Sequence, residues 1–450
     1  MGCASPPESV QRGVNAETVS YAEQSWPATE ASRGDYAGFT REGLAGLDAR
    51  MAKSVSDGDV AGLVTLLVRK GEVVQYRSYG VQSGDAATGA PMQKDSLFRI
   101  YSMTKPLVGV AMMQLYEQGK WRLDDPVSKF IPEFDHLKRL SWKDGKVELD
   151  ASGKPVVVDA TRSPTMRELM THTAGLSYGL CCLSASSPDY IPSNAAFVEK
   201  NVLGSADSAE MMKKIIEIPL VYDPGTRWSY SSAVDVQGYL VERMSGRSLG
   251  DYFNEKVFAP LGMTDTSFYV RPDQKPRFAD VYHWEQGGLV ITPDAPNRPS
   301  FFAADRLQNG GSGLVSTAHD YARFSQMMLN KGMLAGKRLL QPDTVELMTR
   351  NHIGALRMNS DGTSANPGTP GVGFGLDVAV FEDSTKSGQP YGEGSYYWTG
   401  FAGTWFWIDP ANDLFFVGMI QRQGPARPGA MNLRNESARL VYAALAEAAP

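Results

Sequence analysis

A serine stands three positions before a lysine in "FRIYSMTKPLVG" (98–109), as Ser102 and Lys105. The chain turns from irregular to helix-like there, and on a helix positions i and i+3 share a face, so hydroxyl and amine can meet. Backbone N–H groups at a helix N-terminus favour developing negative charge. A buried lysine loses part of its preference for the charged form and can act as the base of a nucleophile. Pro106 gives up one N–H in the first turn, where little is lost. A chain of this make-up holds about one or two Ser-x-x-Lys spacings by chance. This one is alone in the chain, and it opens an apolar helix where an unpaired lysine would be costly.

Three other segments carry chemistry or imitate it. In "PGTRWSYSSAVDVQGYLVE" (224–242), Tyr230 lies between a Pro-Gly turn and a helix-like stretch. A tyrosine beside a lysine has its phenolate stabilised and can relay protons, whereas a boundary tyrosine merely packs its ring on a core. "YYWTGFAGTWFWIDP" (396–410) reads as a strand with small residues that lets a ligand approach backbone N–H groups, or as a plain aromatic-rich strand. "GLSYG" (175–179) matches G-x-S-x-G and makes Ser177 a rival nucleophile. That motif needs a strand before it and a helix after it, and here a helix-like stretch precedes and a loop-like one comes after. The five histidines, 136, 172, 283, 319 and 352, share no metal-binding spacing, and no phosphate loop or dinucleotide fingerprint occurs.

The elements that must position these residues fall in an order. Leu44, Leu47 and Met51 repeat at helical spacing in 41–55. Residues 62–80 read as a hairpin about Lys70-Gly71, and 102–120 as a buried helix ending at Gly119. The middle, about 121–300, is rich in short helical patterns (165–173, 208–218, 234–246, and 248–263 broken by Pro260) and loops. Strands return at 395–400, 403–409 and 413–421, the last two joined by a turn at 410–412, and an amphipathic helix covers 433–448. The economical architecture is α+β: one antiparallel sheet from both ends of the chain, flanked by terminal helices, with an inserted helical lobe. The expected division is a poorly ordered tail over 1–40, an α/β lobe from 41–120 and 301–450, and a helical lobe over 121–300. A site is expected in the cleft between lobes, lined by 181–205 and 270–305.

The 450 residues, 42% hydrophobic, suffice for one large core or two smaller ones. The net charge of −6 is spread out with no basic stripe, which argues against nucleic acid or an anionic membrane as partner. The longest apolar runs, such as "LFFVGMI" (414–420), are too short to span a bilayer. Cys3, Cys181 and Cys182 form neither a disulfide framework nor a zinc pattern. No apolar signal region is visible, so the sequence as given reads as cytoplasmic. "GCASPPES" (2–9) is similar to the residues just after the cleavage point of a bacterial lipoprotein signal, and removal of such a signal would make the protein a periplasmic lipoprotein.

Together, "FRIYSMTKP", "PGTRWSYSS" and "WTGFAG" resemble, in order, the three motifs of the serine β-lactamase-like family. That family includes class C β-lactamases, D-alanyl-D-alanine carboxypeptidases and family VIII carboxylesterases. The resemblance covers roughly 45–445, with "LDDPVSKFIPEF" (123–134), "TMRELMTHTAGLSYG" (165–179), "FAPLGMTDTSF" (258–268) and "NGGSGLVSTAHDYARF" (309–324) in the same style. It absorbs Ser177 into a helix-and-turn segment. It implies that Ser102 is the acylated nucleophile, Lys105 its activating partner and Tyr230 the general base and acid; which of the two takes the first proton stays open. Backbone N–H groups of Ser102 and Phe401 would form the oxyanion hole, each such donor being worth ~3–4 kcal/mol. Tyr101, Ser232, Trp398, Thr399 and Gly400 would contact substrate. No metal or cofactor is required.

Two departures from the family pattern bear on substrate. Where its β-lactamases and peptidases carry Lys or His before Thr-Gly, this chain has Trp398. A carboxylate substrate loses a charge-assisted hydrogen bond there, ~1.5–3 kcal/mol. Ser232 replaces an asparagine whose amide contacts the β-lactam side chain. Both favour small neutral esters, as in the family VIII branch. Arg422 or Arg427 is a candidate replacement anchor, so weak β-lactam hydrolysis stays open, as do acyl transfer and D-amino-acid peptidase activity. The alternative of another class is a non-catalytic, penicillin-binding-like sensor. Oligomeric state is not legible.

Overall fold

The computed structural model describes residues 26–27, 36–85, 88–187, 189–295, 298–356, 358 and 369–445. Cys3 and most of the expected tail lie outside them. Within that tail, Trp26 is buried and its indole N–H donates to the Gly71 carbonyl over 3.0 Å, and Phe39 bridges Leu445.

The main sheet has eight strands: β1 (Gly62–Arg69), β2 (Glu72–Ser83), β3 (Ala90–Pro91), β4 (Val372–Phe374), β5 (Ala379–Phe381), β6 (Tyr396–Thr399), β7 (Trp405–Asp409) and β8 (Leu414–Ile420). Their spatial order is β4-β5-β6-β7-β8-β1-β2-β3, and every neighbouring pair is antiparallel. The two chain ends meet at the centre, with Leu66 between Val417 and Tyr76. Lys70 and Gly71 both have positive φ, the backbone that a tight hairpin between twisted strands demands. All of β8, and β1 up to Val68, is buried, although successive side chains point to opposite faces. Such strands need cover on both sides. Helix α1 (Arg41–Ser56) packs on β1 and β2 and against α9 (Leu433–Ala444), and α8 (Ala318–Leu329) packs on β8, β1 and β7.

Helix α2 (Thr104–Glu117) is apolar all round and buried from Thr104 through Met113, so it has no solvent face to spend on a charge. Among the described residues, the segment 121–300 adds no strand to the main sheet. Its helices include α3 (Met166–Met170), α4 (Pro192–Glu199), α5 (Ser208–Ile216), α6 (Ala233–Ser245) and α7 (Leu249–Phe253). Pro260 does not break the last of these patterns where expected. The chain widens into a π-turn over Asn254–Phe258 and carries Pro260 in the turn Ala259–Leu261 beyond it. A proline ring clashes with the carbonyl four residues back, and a widened turn moves that carbonyl aside. Among the described residues no helix is long and apolar enough to cross a membrane.

Candidate active site

Ser102 lies in the 3-10 turn Tyr101–Met103 that leads into α2, two residues before the α-helix begins. Tyr101 has φ +42°, a left-handed conformation that a bulky residue holds only when its surroundings impose it. Its hydroxyl accepts from Gln423 Nε2 over 2.9 Å, and its ring meets Phe301 and Phe401 edge-on. Lys105 follows in the first turn of α2, with Nζ 3.3 Å from Ser102 Oγ. Tyr230, brought in from just before α6, donates its hydroxyl to Ser102 Oγ over 2.6 Å. Three residues separated by up to 128 positions thus converge on one oxygen.

Lys105 is 1% exposed, and its surroundings account for its place. Nζ donates to the Gly311 carbonyl over 2.7 Å and stands over the rings of Tyr230 (4.6 Å) and Tyr178 (5.0 Å). Gly311 N–H in turn donates to Asp235 Oδ1 over 2.9 Å. A Cβ on Gly311 would fall 2.5 Å from Asp235 Oδ2 and 2.7 Å from the Tyr178 hydroxyl, so only glycine lets this backbone lie between the lysine and the carboxyl. Burial pushes the Asp235 carboxyl up to about 6, with the Lys105 charge pulling the other way. Burial also holds Asp377 well above the usual carboxylate range, opposed by the hydrogen bond from Gln237 and by Lys105.

Asp235 makes a testable contribution to stability. The folded carboxyl titrates near 6 and the unfolded one near 3.8, so between those values the folded state holds more protons. The contribution is therefore complete below about pH 4 and is lost as pH rises through 6. It amounts to ~3 kcal/mol, at about 1.4 kcal/mol for each tenfold change. Asp235→Asn keeps an acceptor for Gly311 N–H and cannot ionise. Urea unfolding at pH 4 and pH 7 is expected to show the wild type losing stability relative to this variant at the higher pH. An unchanged difference between the two proteins would refute the assignment.

His172 is the member of the site that motif reading passed over. It has φ +57°, is fully buried, and its Nδ1 accepts from Ser231 N–H over 3.2 Å. Its ring lies 4.9 Å from that of Tyr230, and burial together with Lys105 keeps it neutral. It packs beside the tyrosine ring. The signal lay in "TMRELMTHTAG", where Thr165 and Glu168 form a capping box that starts α3, the helix that His172 closely follows.

The third motif enters at the end of β6. A Cβ on Gly400 would sit 2.5 Å from the Ile100 carbonyl and 2.1 Å from Thr404 Oγ1. Glycine therefore lets the strand end abut the turn that carries Ser102. Thr399 sits beside it, partly exposed, and Phe401 is 58% exposed over the cavity. Trp398 and Ser232, expected against substrate, are placed behind the site instead. Trp398 is 8% exposed and packs on Tyr230 and Phe374 at 5.7 and 5.4 Å between ring centres. Ser232 is buried at the start of α6. Arg422 and Arg427, expected as substitute anchors, are committed elsewhere: both reach Asp59, one at its carbonyl and one at its carboxylate. Ser177 is buried in a stretch without strand or helix, and its carbonyl accepts from Ser232 N–H. The nucleophile elbow has no frame there.

A cavity of about 510 Å³ opens onto Ser102. Both 181–205 and 270–305 contribute to its wall, with Leu183, Phe197, Leu203 and Phe301 giving an apolar lining. Two cations border it. Arg306 is engaged with the carbonyls of Phe268 and Gly313, and Arg298 is exposed. Among the described residues, no group of three or more His, Cys, Asp or Glu is placed to hold a metal ion.

A model of the Beta-lactamase family matches residues 47–440. Protein Rv1367c of Mycobacterium tuberculosis (strain ATCC 25618 / H37Rv) is 35% identical over 385 residues, covering 84% of this chain and 90% of its own length. Esterase EstB of Burkholderia gladioli is 31% identical over 383 residues, 82% of this chain and 88% of its own. Among solved structures, "EstCE1, a hydrolase with promiscuous acyltransferase activity" superposes with a TM-score of 0.71 at 26% identity, covering 89% of this chain and 99% of its own.

Proposed function

This chain belongs to the Beta-lactamase family, and from that premise we propose that it is a serine hydrolase cleaving small neutral carboxylic esters through an acyl-enzyme on Ser102. The observation that carries the reading is the convergence of Lys105 Nζ and Tyr230 Oη on one serine oxygen, at 3.3 and 2.6 Å. Ser102 Oγ attacks the ester carbonyl as its proton passes to Tyr230 in its phenolate form or to Lys105 in its free-amine form. Backbone N–H groups of Ser102 and Phe401 receive the oxyanion. The tetrahedral intermediate collapses, the alkoxide leaves with a proton returned from the same base, and water repeats the sequence on the acyl-enzyme.

Selectivity for neutral esters rests on the apolar side chains of the cavity wall, a wall that does not include Trp398. Its packing behind Tyr230 makes it a support for the base rather than a contact for the acyl group. The likeness to an esterase, and to a hydrolase that also transfers acyl groups, supports the same chemistry. Acyl transfer is the second reading. The cavity, about 510 Å³, has room for an acceptor alcohol beside an acyl chain, and water and alcohol compete for one acyl-enzyme.

The test is turnover of p-nitrophenyl acetate, butyrate and octanoate beside nitrocefin, with and without an added primary alcohol. Faster release from short esters than from nitrocefin is expected. Release that accelerates with alcohol and yields the new ester would favour transfer. Better turnover of nitrocefin would defeat the neutral-ester reading, and covalent labelling without turnover would point to a sensor.

A further inference from the structure

Cys181 and Cys182 are adjacent thiols that the ester chemistry does not use. Both are half-buried, and their sulfurs are in contact. Cys182 has φ +61°, which an ordinary residue adopts only under constraint. The constraint is visible. Ile191 N–H donates to the Cys182 carbonyl over 2.9 Å, and Asn194 Nδ2 donates to the Cys181 carbonyl over 3.3 Å, so the pair is clamped to the start of α4. The residues on either side, Leu180 and Leu183, both line the cavity. Asn194 also accepts from Tyr178 N–H over 3.3 Å, and the Tyr178 ring is one of the two against Lys105.

We propose that Cys181 and Cys182, between two cavity-lining leucines, are a two-electron redox site that closes to a vicinal disulfide. With hydrogen peroxide as oxidant, one thiolate attacks a peroxide oxygen and releases hydroxide, leaving a sulfenic acid. The neighbouring thiolate then displaces hydroxide from that sulfur. Two thiols and one peroxide become one disulfide and two waters. A small-molecule disulfide does the same by exchange, leaving as two thiols. Closure draws the touching sulfurs to a bond length of about 2.0 Å and fixes the backbone between Leu180 and Leu183. Ser102, Lys105 and Tyr230 stay in place while the wall that receives a long acyl chain changes. The effect on turnover rests on the proposed ester reading; the bond itself does not.

The experiment treats the full-length protein with one equivalent of hydrogen peroxide and digests it with trypsin without reduction. The fragment 168–200 carries both cysteines and no third. It is expected to lose two hydrogens, to regain them with dithiothreitol, and to show neither change in Cys182→Ser. The oxidised protein is expected to show a several-fold higher KM for p-nitrophenyl octanoate with turnover of the acetate ester unchanged. An unchanged fragment, one that gains oxygen, or one joined to a second peptide would overturn the disulfide. A disulfide that forms without moving KM for the octanoate would overturn its coupling to the cavity. A disulfide formed in a protein that turns over no ester would leave the redox site standing and remove the ester reading.

Discussion

Ser102→Ala is expected to lower kcat/KM for p-nitrophenyl butyrate by on the order of 10⁴–10⁶, since a nucleophile that acts as a unit with its base takes most of the catalysis with it. The fold gives little reason for the variant to unfold. The hydroxyl contacts Lys105 and Tyr230, and both keep other supports: the lysine its bond to Gly311 and the two rings, the tyrosine its packing on His172 and Trp398. The melting temperature should therefore stay within about 2 °C of the wild type. A fluorophosphonate probe supplies a second readout, adding to the peptide that contains Ser102 in the wild type and to nothing in the variant. Retention of most of the activity would make the Ser102–Lys105 spacing incidental and return attention to Ser177.

How legible each part of this site is in the sequence depends on how it is encoded. Ser102 and Lys105 are neighbours on one turn, so their spacing carries the geometry. Tyr230 is far away, but it stands at a marked boundary between a Pro-Gly turn and a helix. Asp235 and His172 reach the site through Gly311 N–H and Ser231 N–H, backbone groups that no residue type announces. Trp398 reads as a strand residue and is one, but at a strand end the alternation that decides its face has run out. It turns inward to Tyr230 rather than toward substrate. The same limit applies to the fold. The apolar runs of β1 and β8 identify the centre of the sheet. The strands β4 and β5, three residues each, are too short to display any period, and they are placed by pairing with their neighbours.

Tyr230→Phe separates the hydroxyl from the ring that carries it. Phenylalanine keeps the contacts with His172, Trp398 and the Lys105 ammonium and loses only the 2.6 Å bond to Ser102. Loss of one positioned acid–base group predicts a fall in kcat of about 10²–10⁴, with little change in KM because no substrate contact is removed. Lys105→Met should cost at least as much, since it removes the donor to Ser102 and takes from Asp235 its main cationic neighbour. The double variant decides whether the two are separate catalysts or one. If the phenol and the ammonium act only together, the double variant is no slower than the worse single one, because the second change removes a group already without its partner. If the losses instead multiply, each group moves its own proton, and acylation and deacylation must be assigned different bases. Rapid-quench measurement of the acyl-enzyme in the two single variants then tells which step each base serves, as the protein that accumulates acyl-enzyme is the one lacking the base for deacylation.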